Sequence, residues 1–444
     1  MSGATVWRGW LTATALTLNA LGTAGEGASV PRLVDEACDL EIVDETLKAR
    51  LRCARLIVHR DPDRPEDGTF ELAVVVKRSA EPKAGATPVL FLHGGPGGEL
   101  TRFAGYNPRD FAPGHDLVGF DMRGSGRSRP QVCAANAGTL MASFLHPEGL
   151  EAGVRIRRQI VEDCRAEWQA AGLRAEHYGT ARNVADAEAL RQALGVTRWR
   201  LFGESYGTTV AAHYLATHPE AIEAAVLDSL YPKDAEVHST SEMQGRLFER
   251  VSADCRQDKA CIARWPQIGR DWLDTTVAAL DAAPLRVGEG TQTRLLDGHG
   301  LRQLLMIAAS NEAGVRALPF LVDAAARRDT GLLAGPLSLM GVRADQGGGN
   351  LAAMLATDCR DRARHQHITD LSDPFAVLLG VPNSVCRDWA TPAEAPRWPV
   401  ATPVPVLILA GGYDSFQPDV GPVLDALGNQ AQVLEVPQAA HGVR

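Results

Sequence analysis

Residues 199–217 read WRLFGESYGTTVAAHYLAT, and this stretch holds the strongest signal in the sequence. Trp199 to Phe202 are predicted to form a short buried strand, and Thr208 to Thr217 to form a helix. Between them lies Gly203-Glu204-Ser205-Tyr206-Gly207, a G-x-S-x-G turn whose small residues let a serine project beyond the strand end. A glycine-rich turn can be only a turn, but a strand before it and a helix after it favour a nucleophilic serine.

Strands and helices alternate on both sides of this turn. Apolar runs bounded by Gly, Pro and Asp predict strands, and residues spaced four apart predict helices. The predicted strands are Phe70 to Arg78, Pro88 to His93, Asp116 to Phe120 and Ala224 to Leu227, and the predicted helices are Val154 to Ala171 and Ala181 to Leu194. This alternation predicts a mostly parallel sheet flanked by helices on both faces.

The pattern changes after Asp228. Helical stretches such as Leu247 to Ala263 and Arg302 to Ala325 follow, without a strong strand signal. The strand pattern resumes at Val404 to Ala410 and Gln432 to Val436. We therefore predict an α/β core in two parts, residues 25–231 and 403–444, with a helical cap inserted at 232–402.

Residues 1–24 have the layout of a secretory signal peptide. The single charge of Arg8 precedes an apolar stretch from Trp10 to Leu21 and the small residues Gly22-Thr23-Ala24. We expect cleavage after Ala24 and a secreted or periplasmic protein, and a frayed N-terminus is the alternative. After removal of the leader we expect no association with a membrane.

The eight cysteines agree with export. An even number in an exported chain predicts disulfides, and the cysteines form pairs that are local in sequence: Cys38 with Cys53, Cys133 with Cys164, Cys255 with Cys261, and Cys359 with Cys386. The alternative is eight reduced, mostly buried thiols in a cytoplasmic protein. Because no C-x-x-C motif occurs, zinc binding and thioredoxin-type chemistry have no support.

Composition and charge exclude several classes of protein. Hydrophobic residues make up 45% of the 444 residues and charged residues 22%, which is typical of a globular protein. The formal net charge is −9, from 45 Lys and Arg against 54 Asp and Glu. A protein that neutralises phosphates would be basic, so nucleic acid is not expected as a partner.

A catalytic serine needs a base that is itself oriented by an acid. Asp414 follows the predicted strand Val404 to Ala410, and His441 follows the predicted strand Gln432 to Val436. A turn-capping carboxylate and a surface histidine are the structural alternatives. The chain order Ser205, Asp414, His441 favours a triad.

His93-Gly94-Gly95-Pro96-Gly97-Gly98 follows another predicted strand. Such a turn can direct backbone N–H groups at a developing oxyanion, and we assign these donors to Gly95 and Tyr206. A phosphate cradle is a poor alternative because neither G-x-x-x-x-G-K-[ST] nor G-x-G-x-x-G occurs here. In the turn Asp121 to Ser128 (DMRGSGRS), we expect Arg123 to brace loops rather than contact a substrate.

These motifs together resemble a known family. HGGPGG, DMRGSGRS, GESYGT and the late Asp and His are similar to the α/β-hydrolase serine peptidases of the prolyl aminopeptidase and tripeptidyl aminopeptidase group, from about Cys38 onward. The resemblance implies the α/β-hydrolase fold, a triad of Ser205, Asp414 and His441, and a helical cap that limits substrates to short N-terminal ends. The leader and the cysteines resemble the tripeptidyl branch more closely.

An aminopeptidase must bind a protonated α-amine, which calls for a carboxylate near the nucleophile. Glu204, Asp228 and Glu242 are the positional candidates, and bracing of loops is the alternative for the first two. His365 and His367 form an H-x-H pair without further ligands, which is typical of a surface, so no metal or other cofactor is expected. Because only three residues follow His441, we expect few contacts to anchor its loop.

The sequence therefore predicts an exported serine aminopeptidase that acts on short peptides or polypeptide N-termini. Two alternatives remain open. One is a carboxylesterase or lipase-like hydrolase, because G-x-S-x-G is shared by those enzymes. The other is a hydrolase-fold binding protein without turnover.

Overall fold

The computed structural model describes residues 30–40, 45–101, 112–133, 143–231, 241–290, 293–347, 350–362, 394–398, 401–414, 416 and 419–443. Within these ranges, residues 144, 241–243, 339–347 and 362 are described by their backbone alone. The predicted leader at 1–24 lies outside the described residues, as do His365, His367 and Cys386.

A nine-stranded sheet runs through the described part of the chain, in the order β1-β2-β3-β5-β4-β6-β7-β10-β11. In this order, the neighbouring pairs from β1 to β5 are antiparallel. The neighbouring pairs from β5 through β4, β6, β7 and β10 to β11 are parallel. The strands are β1 (Arg32–Glu36), β2 (Leu51–His59), β3 (Thr69–Lys77), β4 (Val89–Leu92), β5 (Leu117–Phe120), β6 (Trp199–Glu204), β7 (Ile222–Asp228), β10 (Val406–Gly411) and β11 (Ala431–Val436).

Helices cover the sheet and build a second layer of structure. The described α-helices are α1 (Glu45–Lys48), α2 (Leu150–Ala170), α3 (Thr180–Ala193), α4 (Tyr206–Thr217), α5 (Ser241–Gln257), α6 (Lys259–Arg264), α7 (Arg270–Ala282), α8 (Gly298–Ala308), α9 (Glu312–Ala326), α10 (Thr330–Gly347), α11 (Leu351–Arg362) and α12 (Gly421–Leu427). Short 3-10 helices occur at Pro65–Asp67, Ser143–Leu145, Ala175–His177, Pro219–Ala221 and Gly428–Gln430.

The apolar patterns in the sequence explain the positions of the buried strands and helices. All four residues of β4 are buried, as expected for a strand covered on both faces. On α2, the side chains of Ile160, Cys164 and Trp168 are buried at the predicted fourfold spacing. Neither β1 nor β2 was predicted from the sequence. In β1, four of five residues are exposed because it is the edge strand, so its sequence carries little apolar signal.

Two hydrophobic clusters account for most of the buried side chains in the described ranges. The sheet cluster contains residues of the sheet and of α2, α3 and α4, among them Leu90, Leu201 and Val210. The helical cluster contains residues of α5, α7, α8, α9 and α10, among them Phe248 and Leu321. The helical cluster corresponds to most of the predicted cap.

Several details inside the predicted cap differ from expectation. A small antiparallel pair, β8 (Leu285–Val287) with β9 (Arg294–Leu296), occurs where no strand was expected. Each strand has only three residues, which is too short for a periodic signal. The predicted helices Leu247 to Ala263 and Arg302 to Ala325 are each replaced by two helices. The second helix of each pair begins where the side chain of Asp258 or Asn311 forms an N-cap.

Helix α11 lies within the predicted cap segment 232–402 but packs on the other cluster. Leu351, Ala352 and Leu355 of this helix belong to the sheet cluster. The division of the chain into core and cap stays a prediction, and the packing indicates that α11 belongs with the core.

Three of the four predicted disulfides lie in the described residues. They join Cys38 to Cys53, Cys133 to Cys164, and Cys255 to Cys261. Cys359 is also disulfide-bonded, and its predicted partner Cys386 lies outside the described residues. In the ranges that the structure covers, no helix is long and apolar enough to cross a membrane.

Candidate active site

Ser205 lies at the sharp turn between β6 and α4. Its φ of 55° and ψ of −125° lie in a region that L-residues rarely adopt, which is a strained conformation typical of functional turns. Its amide donates to the carbonyl of Asp228 on the next strand, at 2.9 Å. A Cβ at Gly207 would lie 1.9 Å from the carbonyl oxygen of Leu92, so only glycine allows α4 to approach β4 this closely.

Asp414 and His441 lie after β10 and β11, at the same edge of the sheet as Ser205. Nδ1 of His441 donates to Oδ2 of Asp414 over 2.9 Å, and Asp414 is only 2% exposed. Oδ1 of Asp414 accepts from the amide of Phe416 at 2.8 Å. The ring of Phe416 contacts His441 edge to face, with centroids 5.2 Å apart. Both carboxylate oxygens are thus held, and one of them fixes the imidazole.

The pKa of His441 is raised above its ordinary value. Burial lowers this pKa, but the hydrogen bond and the charge of Asp414, together with the charge of Asp228, outweigh the burial. The imidazolium is therefore stabilised, as expected for a base that accepts a proton during a reaction.

The loop that carries His441 is better anchored than its position near the chain end led us to expect. The amide of Gly442 donates to Oγ of Ser229 at 2.9 Å. The amide of Val443 donates to Oδ1 of Asp228, also at 2.9 Å. On the other side of the loop, the amide of Tyr413 donates to the carbonyl of Ala439 at 2.9 Å. The histidine loop is therefore tied both to the acid loop and to the end of β7.

The glycine-rich loop after β4 lies against Ser205. A Cβ at Gly94 would be 2.8 Å from the Cβ of Ser205 and 3.2 Å from its Oγ, so a side chain has no room there. The carbonyl of Gly97 accepts from the amide of Asn350, the N-cap of α11, at 2.9 Å. Asn350 Nδ2 also donates to the carbonyl of Val132 at 2.6 Å, so α11 supports the loop from outside. Gly95 as an oxyanion donor stays a prediction.

Tyr206, the other predicted donor, is held by a buried hydrogen-bond chain. Its hydroxyl lies 2.9 Å from Oγ1 of Thr180 and accepts from Nδ2 of Asn183 at 3.1 Å. Thr180 Oγ1 in turn donates to Asp361 of α11 at 2.6 Å. Burial raises the pKa of Tyr206 well above its usual range, so the hydroxyl stays protonated. This chain fixes the first residue of α4, whose backbone amide faces the N-terminal end of the helix.

The three candidates for amine binding are placed differently. Glu204 is 12% exposed, and its carboxylate lies 3.9 Å from Nδ1 of His93. Asp228 is fully buried and accepts from the amide of Val443, which favours the bracing role. Glu242 lies at the start of α5, and its side chain lies outside the described residues.

Arg123 is a structural residue, as predicted from its turn. It is 3% exposed and makes a bidentate ion pair with Asp186, at 2.7 and 2.8 Å. Its guanidinium also donates to the carbonyls of His59, Arg60 and His177. The N–H groups of the guanidinium all donate to other residues of the protein. The side chain therefore connects loops and does not reach a ligand.

Three residues around the site were not predicted: Tyr413, Ser229 and Asn350. For Asn350 a signal existed, because an Asn before an apolar run is a typical helix start. Nothing local marks Tyr413 or Ser229, whose contacts come from distant parts of the chain. Among the described residues, no group of three His, Cys, Asp or Glu side chains could hold a metal ion.

The comparisons with known proteins support the predicted fold class. A family model described as the alpha/beta hydrolase fold matches residues 87–267, which include β4, the glycine-rich loop and the Ser205 turn. The fold is that of the α/β hydrolases. As in other open α/β sheets, the hydrolase fold places its functional residues at the carboxyl ends of parallel strands.

Curated relatives match part of this chain at modest identity. Tripeptidyl aminopeptidase of Streptomyces lividans is 28% identical over 249 residues, or 54% of this chain and 43% of that protein. Proline iminopeptidase of Xylella fastidiosa is 33% identical over 148 residues, or 32% of each chain. Serine protease Hip1 of Mycobacterium bovis is 30% identical over 224 residues, or 47% of this chain and 42% of that protein. The chain thus matches less than half the length of each relative.

Proposed function

We propose that this protein is a serine peptidase that cleaves peptide bonds near free N-termini, in the manner of tripeptidyl or prolyl aminopeptidases. The observation that carries the proposal is the hydrogen bond between His441 and the buried Asp414, at the sheet edge that presents Ser205 on a strained turn. The names of the similar proteins support peptides as the substrate class.

In the proposed reaction, Oγ of Ser205 attacks the scissile carbonyl carbon while His441 takes the hydroxyl proton. The new O–C bond gives a tetrahedral oxyanion, for which the backbone amides of Gly95 and Tyr206 are the proposed donors. His441 returns the proton to the leaving amine as the C–N bond breaks. Water then attacks the acyl-enzyme through the same base and releases the N-terminal fragment.

Asp414 has two roles in this scheme. Because Nδ1 of His441 donates to Asp414, the tautomer with Nε2 free to accept a proton is the favoured one. The carboxylate also stabilises the imidazolium that forms when the serine loses its proton.

Glu204 is the proposed recognition group for the substrate's α-amine, with Asp228 and Glu242 as lesser candidates. Glu204 is the last residue of β6, directly before Ser205, and its carboxylate is partly buried. A Cβ built at Gly442, beside the proposed base, would lie 3.8 Å from Oε1 of Glu204. A partly desolvated carboxylate binds an ammonium group more strongly than an exposed one does. We expect Glu204→Gln to raise KM for substrates with a free amine and to leave blocked substrates unaffected.

Export belongs to the proposal as well. The disulfides agree with an oxidising compartment, and residues 1–24 are proposed to be a cleaved leader. Expression with periplasmic fractionation and N-terminal sequencing tests this, with a mature start at Gly25 as the expected result. A cytoplasmic protein that begins at Met1 would contradict it.

The central experiment compares N-terminally free and N-acetylated mono-, di- and tripeptidyl anilides with p-nitrophenyl esters. We expect turnover of the free anilides, and loss of turnover and of fluorophosphonate labelling in Ser205→Ala. Equal rates on short acyl esters and no effect of N-acetylation would favour the carboxylesterase alternative. Folded protein that never reacts with the probe would favour a binding protein.

A further inference from the structure

The residues directly before Asp414 and His441 pack with the helices rather than with the sheet. Tyr413 and Ala440 both belong to the helical cluster, together with Leu247, Phe248 and Val251 of α5. Tyr413 is 6% exposed and Ala440 is 3% exposed. The helical cluster therefore covers the backbone just before the proposed acid and the proposed base.

A hydrogen bond also joins Tyr413 to helix α5. The hydroxyl of Tyr413 donates to Oδ2 of Asp254, an exposed residue of α5. Burial and the charge of Asp254 raise the pKa of Tyr413 to about 12, whereas Arg316 and Arg250 lower it. The hydroxyl is therefore protonated at neutral pH and remains a donor to the carboxylate.

Helix α5 presents a second charged group to the same loop. Arg250 precedes Asp254 by four residues, so both side chains lie on one face of the helix. Burial and Arg246 lower the pKa of Arg250, and the charge of Asp414 acts in the opposite direction. This face of α5 is thus directed at the loop that carries Asp414.

We propose that Asp254 is a positioning residue for Asp414, acting through the hydroxyl of Tyr413. The inference rests on the proposed function, because it concerns the same acid and base. Tyr413 is joined to the acid by the chain and to the histidine loop by its amide, which donates to Ala439. Fixing the Tyr413 ring therefore fixes the distance and angle between Asp414 and His441.

The test uses the full chain with four variants: Tyr413→Phe, Asp254→Ala, Asp254→Asn, and the double variant of Tyr413→Phe with Asp254→Ala. The matched control is Asp274→Ala. Asp274 lies on α7, which contributes to the helical cluster, and it also has a hydrogen-bond partner, Arg302 of α8, at 3.1 Å. Two quantities are measured: the pKa of the His441 imidazole by NMR titration and the rate of fluorophosphonate labelling of Ser205.

We expect Tyr413→Phe and Asp254→Ala to slow labelling about tenfold through misplacement of the acid. Their His441 pKa should fall by about half a unit, because Asp414 and Asp228 are the charges that raise it. The double variant should be no worse than either single variant, since both remove one interaction. Asp254→Asn keeps an acceptor oxygen and should retain labelling within about twofold of wild type.

A lower melting temperature with unchanged His441 pKa and labelling rate would overturn the proposal and leave a purely structural contact. An equal effect of Asp274→Ala would overturn it too, because general loosening of the helices would then be the cause. If the His441 pKa responds as expected but wild-type protein never labels, the positioning role stands and the proposed function fails.

Discussion

At the scale of single residues, the proposed base His441 and its partner Asp414 should determine how activity depends on pH. The base must be neutral to accept a proton, and its pKa is raised above the ordinary histidine value of about 6.5. Activity should therefore increase with pH through a pKa above that value and be lost below it. A pH profile of kcat/KM on peptidyl anilides measures this limb.

Asp414→Asn should change both the height and the position of that profile. Loss of the carboxylate removes the main stabilisation of the imidazolium, so the limb should move to lower pH. We expect kcat to fall about a thousandfold or more, because the tautomer of His441 is no longer fixed. Circular dichroism and thermal melts confirm that the variant is folded. A limb that stays in place would show that another group titrates.

Gly94 allows a third prediction at this scale. In Gly94→Ala the new methyl would lie 2.8 Å from the Cβ of Ser205, so the loop or the nucleophile must shift. We expect fluorophosphonate labelling to slow at least tenfold, since small misplacements of catalytic groups are costly. Gly335→Ala is the control, because a Cβ there meets nothing within 4 Å. Equal labelling rates in both variants would exclude a close approach at Gly94.

At the scale of elements, helix α11 connects the glycine-rich loop to the rest of the core. Its N-cap Asn350 accepts from the amide of Ala353, donates to the carbonyl of Val132 and binds the carbonyl of Gly97 through its own amide. The same helix reaches the Ser205 turn through Asp361, Thr180 and Tyr206. One helix thus supports both predicted oxyanion donors.

Asn350→Ala should therefore affect stability and activity together. Loss of an N-cap side chain costs about 1 kcal/mol, and the loss of the bond to Val132 adds to this. The matched control is Asn311→Ala, which removes the N-cap of α9 and its bond to Gly314. Urea unfolding should show losses in both variants, whereas kcat should fall only in Asn350→Ala. Parallel falls in kcat would mean that stability alone is responsible.

Elements with strong periodicity could be predicted from the sequence, and those defined by distant partners could not. The strand and helix around Ser205 were predictable because a buried apolar strand, a small-residue turn and a helix follow one another. The packing of α11 against the sheet was not, since its apolar residues fit a helical cap equally well. Asp414 and His441 were predictable from their order after strands, but Tyr413 needed its contact with Asp254, 159 residues away.

At the scale of the whole molecule, the disulfides stabilise parts of the chain of very different length. Cys133 and Cys164 are 31 residues apart, whereas Cys255 and Cys261 are 6 apart. A longer closed loop restricts the unfolded chain more, so the first bond should contribute about 1–2 kcal/mol more than the second. Cys133 and Cys164 are also buried in the sheet cluster.

Paired Cys→Ala variants test this ranking by urea unfolding. The Cys133 and Cys164 pair should show the larger loss in the free energy of unfolding, and its m-value should increase because the unfolded chain is less restricted. Equal losses for the two pairs would show that local packing, rather than the closed loop, sets the contribution of each disulfide.

The shared packing of Tyr413 and Ala440 with the helices has a consequence for protein engineering. A chimera that exchanges residues of the helical cluster for those of a relative, in order to alter substrate preference, would also replace the surface against which these two residues pack. Positions 413 and 440 would have to be exchanged with the donor's helices, although both lie after β10 in the chain. Selection for new specificity would then act on catalytic rate at the same time.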